Sequence, residues 1–152
     1  MNNDLEKWFK EDFINDPNSF LKHCQVIGSE VCLYRAMDVL KVNSDIFNDK
    51  KEHYFGRIDL IIKYRSQFYG VEVKYQPYAL SDFWNALKIV GYVAYYNWQV
   101  EMTFPDSRLR PAVFIPLDKI TLEHKIIANK LHLALFGIKC RRQKFSVIPI
   151  NL

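Results

Sequence analysis

Two acidic residues and a lysine lie in strand-like segments where their side chains are positioned to act together. Residues 57–63 and 69–75 alternate apolar and polar side chains, a period of two that is typical of β-strands. The short polar stretch between them predicts an antiparallel hairpin. On the second strand, Glu72 and Lys74 share one face. On the first, we predict Ile58, Leu60 and Ile62 on one face and Arg57, Asp59, Ile61 and Lys63 on the other.

The carboxylates of Asp59 and Glu72 would repel each other on neighbouring strands unless a cation lay between them. Mg²⁺ suits such a site because it takes hard oxygen ligands and needs only one or two protein carboxylates. We therefore predict Asp59, Glu72 and the Val73 carbonyl as ligands of Mg²⁺, with Mn²⁺ as a substitute. Such an ion activates water at a phosphodiester, and Lys74 would orient that water or stabilise the developing charge.

The order of these residues resembles the PD-(D/E)XK nuclease superfamily, whose signature is an acidic residue near the start of one strand and Glu-x-Lys on the next. Asp59, Glu72 and Lys74 match these positions, although Ile58 stands where the signature has proline. Members commonly carry a glutamate in a helix before the sheet, which Glu30 could match. The resemblance implies a restriction-endonuclease-like αβββαβ core, an α/β fold with a central four-stranded mixed sheet flanked by helices.

Other residues are candidates for contact with nucleic acid. Some superfamily members carry a glutamine and a tyrosine one turn apart in the helix after Glu-x-Lys, and here Lys88 and Tyr92 occupy that spacing. Tyr92 lies on an apolar helix face, which favours a core position over a site position. The candidate nucleic-acid contacts are Gln76, Lys88, Arg57, Arg141 and Arg142, and an ordinary solvated surface is the alternative for most of them.

The composition is that of an ordinary globular domain. Hydrophobic residues make up 49% and charged residues 25% of the 152 residues, and the net charge of +4 permits a polyanionic partner such as DNA. The three cysteines and four histidines lack the spacing of a zinc or iron–sulfur site. No apolar run reaches the length of a membrane span, and the charged N-terminus is unlike a signal peptide. We expect a cytoplasmic protein with no organic cofactor.

The remaining elements follow from helical periodicity and capping signals. We predict a single domain over 1–152, in which 1–16 form an N-terminal helical extension. A second helix is predicted over 17–27, and a stronger one over about 29–41, with Glu30 in its first turn. Further along, 81–98 predict a long helix, 111–116 a strand, 121–137 a helix ending at Gly137, and 144–152 a closing strand.

Three functions fit these residues. The first is a Mg²⁺-dependent endonuclease acting on DNA, in which Glu30 assists the metal ligands. The resemblance implies products with a 5′-phosphate and, by analogy with junction resolvases and simple restriction enzymes, a homodimer. The second is a non-catalytic nucleic-acid-binding or assembly subunit of the same fold, against which the intact Asp59, Glu72 and Lys74 argue. The third is an α/β protein-interaction domain, which would lack salt-dependent affinity for DNA.

Overall fold

The computed structural model describes residues 3–34, 54–101 and 108–152, which form a mixed β-sheet covered by helices on both faces. The helices are α1 (Asn3–Asn15), α2 (Pro17–Phe20), α3 (Leu80–Ala86), α4 (Lys88–Glu101) and α5 (Leu122–Lys130). The strands are β1 (Cys24–Tyr34), β2 (Tyr54–Tyr64), β3 (Gln67–Val73), β4 (Leu109–Pro116), β5 (Ala134–Arg141) and β6 (Lys144–Pro149). None of the described helices is both long and apolar enough to cross a membrane.

The described strands lie side by side in chain order, β1-β2-β3-β4-β5-β6. The first three form an antiparallel meander, β3, β4 and β5 are parallel, and β6 returns antiparallel to β5. Each parallel step needs a crossover, which α3 and α4 provide before β4 and α5 provides before β5. The predicted α/β architecture with a mixed sheet is confirmed. Within the described residues the sheet has six strands rather than four, because a β5–β6 hairpin extends it.

Helix α1 packs against one face of the sheet. Phe9 and Phe13, one turn apart, are fully buried, and Phe13 meets Phe114 of β4 edge to face with 5.6 Å between ring centroids. Aromatic pairs in this geometry add to the free energy gained by burying the rings. The predicted N-terminal helix is therefore a part of the core and brings its polar side chains to the sheet.

Helices α3, α4 and α5 cover the opposite face. Ile89 and Val93 of α4 are buried there with Phe83 of α3. A Cβ at Gly70 of β3 would lie 2.6 Å from Val93 Cγ2, so only glycine permits α4 to approach the strand this closely. This approach brings the first turn of α4 towards the end of β3.

The prediction of a helix over about 29–41 was wrong for residues 29–34, the part that the structure describes. Residues up to Tyr34 form β1, in which Val31 pairs with Ile58 of β2, and the predicted residues 35–41 lie outside the described residues. A register shift between Val26 and Gly28 inserts an extra residue into the strand. This bulge precedes the predicted helix, whose residues Val31 and Tyr34 are three apart, a spacing that is typical of one helix face.

Three other predicted helices also differ. The helix predicted over 17–27 ends at Phe20, before β1 begins. The helix predicted over 121–137 ends at Lys130, and His132 takes a left-handed conformation with φ 52°. The apolar residues beyond it form β5, since a strand buried on both faces reads as a continuous apolar run. The predicted helix 81–98 is divided at Leu87 into α3 and α4. The β2–β3 hairpin and the strands β4 and β6 are confirmed.

Candidate active site

Asp59 joins β2 to β3 where their backbone pairing ends. The register ends at the pair Leu60 and Val71, and beyond it the Val73 backbone N–H donates a hydrogen bond to Asp59 Oδ2 at 2.9 Å. The carboxylate therefore takes the place of a backbone acceptor. Its orientation is fixed by a buried hydrogen bond, and its other oxygen, Oδ1, lies 4.0 Å from Lys10 Nζ of α1.

The alternation of β2 changes at this point. Leu60 and Ile62 are buried in the core under α1, whereas Ile58 is buried with Ile61 in the core under α4. The prediction that Ile58 shares a face with Leu60 and Ile62 was therefore wrong. The period of two fails next to Asp59, where β2 and β3 no longer pair through their backbones.

A polar cleft of about 260 Å³ opens beside Asp59. Residues from α1, β2, β3 and α4 line it. They are Glu6, Lys10, Arg57, Asp59, Glu72, Val73, Lys74, Lys88 and Tyr92. The fold thus brings the predicted ligands Asp59, Glu72 and Val73 together with Lys74.

Glu72 is the most deeply buried acidic residue of the cleft, at 4% exposure. Its Oε1 lies 3.8 Å from Lys74 Nζ and 3.6 Å from Lys88 Nζ. Its Oε2 is buried and has no hydrogen-bond partner among the described residues. Burial and then the charge of Asp59 raise the pKa of Glu72 to about 7, against the opposing effect of the nearby ammonium groups.

These oxygens fit a hard divalent cation. The unpartnered Glu72 Oε2 lies in the same cleft as Asp59, whose Oδ1 is not used by Val73. No three His, Cys, Asp or Glu side chains within 3–34, 54–101 and 108–152 could hold a metal together. The protein ligands of such an ion would therefore be two carboxylates and the Val73 carbonyl, a set that suits Mg²⁺ because this ion keeps several waters.

Glu30 lies on β1 rather than in a helix, and it does not line the cleft. Its Oε2 accepts from Arg57 Nε at 2.7 Å, and its Oε1 is 3.7 Å from Lys10 Nζ. The glutamate that a helix places in the cleft is Glu6 of α1, whose Oε1 accepts a hydrogen bond from the Tyr75 N–H at 3.0 Å. The predicted helical position of Glu30 is therefore wrong, and its ion pairs connect it to two residues that line the cleft, Arg57 and Lys10.

Helix α4 supplies the other wall of the cleft. Lys88 and Tyr92, one turn apart, both line it. Tyr92 is also packed against the core under α4, as its apolar helix face predicts. Arg57 also lies in the cleft, as predicted for a substrate contact.

The remaining candidate nucleic-acid contacts lie elsewhere. Gln76 follows the end of β3 and lines two neighbouring clefts. Arg141 ends β5, and Arg142 lies in the turn to β6. All three side chains are exposed. Gln76 shares one of these clefts with Glu6 and Lys74, whereas Arg141 and Arg142 do not line the cleft of the carboxylates.

Glu6 and Lys10, which also line the cleft, were not among the predicted site residues. They are four residues apart on α1 and therefore neighbours on one side of that helix, on either side of the buried Phe9. The spacing predicts that both side chains point the same way. It does not predict which strand ends they meet, because that depends on how α1 packs on the sheet.

Two proteins of known structure have a fold similar to that of this chain. An XisH family protein from Nostoc punctiforme superposes with a TM-score of 0.52 at 12% sequence identity, covering 94% of this chain and 97% of that protein. An FdxN element excision controlling factor protein from Anabaena variabilis superposes with a TM-score of 0.52 at 14% sequence identity. The superposition covers 93% of this chain and 95% of that protein. This chain shares their fold. No protein-family model and no curated protein matches the sequence.

Proposed function

We propose that this protein is a metal-dependent nuclease of the PD-(D/E)XK type that hydrolyses phosphodiester bonds of DNA as an endonuclease. The observation that carries the proposal is the buried Glu72, whose Oε2 has no hydrogen-bond partner among the described residues and which lies beside Asp59. A buried, unsatisfied carboxylate next to a like charge costs stability. A cation bound between the two side chains would offset that cost.

The order of elements supports the same proposal. Helix α1, the meander β1–β2–β3, the helical segment of α3 and α4, and β4 follow one another along the chain, as in a restriction-endonuclease-like core. The acidic residue lies on the second strand and Glu-x-Lys at the end of the third, as in the nuclease signature. In this interpretation β5 and β6 are an addition to that core.

Each residue of the cleft then has a defined task. Asp59, Glu72 and the Val73 carbonyl would hold Mg²⁺ or Mn²⁺, and the ion when bound lowers the pKa of a water and neutralises charge on the phosphodiester. Asp59 is held in place by the Val73 N–H, so this ligand does not have to be ordered when substrate arrives.

Lys74 is the charge-stabilising group. Its ammonium lies 3.8 Å from Glu72 Oε1, adjacent to a proposed metal ligand. There it orients the attacking water or stabilises the charge that develops on the phosphate oxygens. Lys88 and Arg57 have roughly half-exposed side chains, which can reach the phosphates on either side of the bond that breaks.

A polyanionic substrate suits the charge of this region. One cleft is lined by four cationic side chains, those of Lys10, Arg57, Lys74 and Lys88. Cations placed in this way bind phosphates without recognising the base sequence.

One observation favours a second candidate, a non-catalytic nucleic-acid-binding or assembly subunit. Ammonium groups already lie within 4.0 Å of both carboxylates, Lys10 beside Asp59 and Lys74 and Lys88 beside Glu72. This partly neutralises the acidic pair without a metal.

The deciding experiment is DNA cleavage with Mg²⁺ or Mn²⁺, on supercoiled, linear, single-stranded and branched substrates. We expect metal-dependent cleavage by the wild type and a loss of about 10²-fold or more in Lys74→Ala and Asp59→Asn. Lys139→Ala is the matched control, because Lys139 is an exposed lysine of β5 that does not line the cleft. No cleavage by the wild type, together with no calorimetric Mn²⁺ binding that depends on Asp59, would favour the non-catalytic subunit.

A further inference from the structure

Lys10 of α1 lies between two carboxylates. Its Nζ is 4.0 Å from Asp59 Oδ1 and 3.7 Å from Glu30 Oε1, and 20% of its side chain is exposed. Asp59 Oδ2 already accepts the Val73 N–H, so Lys10 faces the oxygen that remains for a metal. A divalent cation bound at Asp59 and the Lys10 ammonium therefore compete for the same atom.

The helix that carries Lys10 is fixed in place. Phe9, next to it in sequence, is fully buried, and Glu6 accepts the Tyr75 N–H one turn earlier. When a cation repels Lys10, the backbone of α1 therefore stays in position and the flexible side chain moves. Lysine has a long stem that allows its charge to move several ångströms while its Cα stays in place.

The acidic and basic side chains around the cleft are equal in number. Four acidic side chains, those of Glu6, Glu30, Asp59 and Glu72, face four basic ones, those of Lys10, Arg57, Lys74 and Lys88. A divalent cation would shift this balance by two positive charges. The cleft then attracts a phosphodiester backbone more strongly, and the displaced ammonium is free to meet it.

We infer that Lys10 is a further substrate-positioning residue, which pairs with Asp59 in the metal-free protein and binds a DNA phosphate once a divalent cation takes Asp59 Oδ1. This inference rests on the proposed nuclease function. Its consequence is positive coupling, in which the metal increases the affinity for DNA and DNA increases the affinity for the metal by the same factor.

The test compares Lys10→Met with Lys7→Met. Lys7 is on the same helix, 71% exposed, and paired at 4.0 Å with Glu11 rather than with a cleft residue. DNA binding is measured by fluorescence anisotropy on a labelled branched duplex, with Ca²⁺ in place of the catalytic ion and with EDTA, at constant ionic strength. Mn²⁺ binding without DNA is measured by calorimetry.

For the wild type and Lys7→Met we expect Ca²⁺ to tighten DNA binding by about tenfold, within the usual range for coupled sites. In Lys10→Met this factor falls below about threefold, whereas the affinity for Mn²⁺ without DNA rises several-fold because the competing ammonium is gone. Lys10→Arg, which restores a cation, recovers the coupling. Lys10→Gln provides the same comparison if Lys10→Met does not fold.

Two results would overturn the inference, and they can be told apart. If Lys10→Met keeps the wild-type coupling and Mn²⁺ affinity, the role of Lys10 is wrong and the nuclease proposal stands. If the wild type binds no Mn²⁺, the proposed metal site is wrong and the inference is wrong with it.

Discussion

Gly56 of β2 lies directly against the ring of Tyr92 of α4, and a Cβ built at Gly56 would overlap that ring. The contact joins a strand of the meander to the helix that supplies one wall of the cleft. Gly56 precedes Arg57 and Asp59 in β2. The contact between Gly56 and Tyr92 therefore fixes the distance between β2 and α4 beside the candidate site.

Gly56→Ala should therefore destabilise the protein, by about 1–3 kcal/mol, as added atoms do in a packed core. Gly91→Ala is the matched control, because a Cβ there meets nothing within 4 Å, and alanine should stabilise helix α4 by roughly 0.5–1 kcal/mol. Urea unfolding of both variants measures these free energies. Equal effects of the same sign would contradict the contact between Gly56 and Tyr92.

Two substitutions of Asp59 should separate its structural role from its charge. Asp59→Asn keeps an oxygen that accepts the Val73 N–H, so we expect it to fold with little loss of stability while metal-dependent cleavage is lost. Asp59→Ala leaves that buried N–H without its acceptor, which costs about 1–3 kcal/mol. Chemical denaturation and cleavage assays on both variants check this, and equal stability of the two would show that the hydrogen bond to Val73 contributes little.

Glu72 should make the metal-free protein less stable as the pH rises. Its pKa is raised from 4.5 to about 7 in the folded chain, so the folded state holds this proton more tightly than the unfolded state does. The contribution is fully present below pH 4.5 and is lost as the pH rises through about 7, with a size on the order of 3 kcal/mol. The difference in unfolding free energy between wild type and Glu72→Gln, followed against pH in EDTA, isolates it. A free-energy difference between the two proteins that stays constant from pH 4 to pH 8 would contradict the raised pKa of Glu72.

Lys88 should hold the pKa of Glu72 down. Its ammonium is 3.6 Å from Glu72 Oε1 and is the largest influence that lowers the pKa of that carboxyl. Lys88→Met should therefore raise the pKa of Glu72 above its wild-type value, which a carboxyl-carbon NMR titration of the metal-free protein measures. Lys139→Met, a change far along the sheet in β5, should leave it unchanged. A lower pKa in Lys88→Met would contradict the predicted direction.

The core of the site could be predicted from sequence because it depends on local geometry. Alternation in two short segments predicts a hairpin, and the hairpin brings Asp59 near Glu72 and Lys74 whatever the rest of the chain does. The same local reasoning failed for Ile58. The bond from the Val73 N–H to the Asp59 side chain replaces regular pairing at that point, and no periodicity encodes it.

The contributions from outside the hairpin could not be predicted in this way. Glu6 and Lys10 reach the cleft because Phe9 and Phe13 pack α1 on the sheet, and packing of that kind is not encoded in the spacing of residues along the helix. Glu30 was assigned to a helix because Val31 and Tyr34, which follow it, are spaced as on one face of a helix. The strand β5 was missed because a strand buried on both faces carries the same apolar residues as a buried helix.

The helices on both faces of the sheet contribute residues to the cleft. Glu6 and Lys10 belong to α1, and Lys88 and Tyr92 belong to α4 on the opposite face. During synthesis on the ribosome, α1 emerges long before α4, and the walls can meet only after residue 92 has left the exit tunnel. A nascent chain that has made only α1 and the meander therefore lacks Lys88 and Tyr92. The timing of translation thus delays the completion of the cleft until α4 has been made.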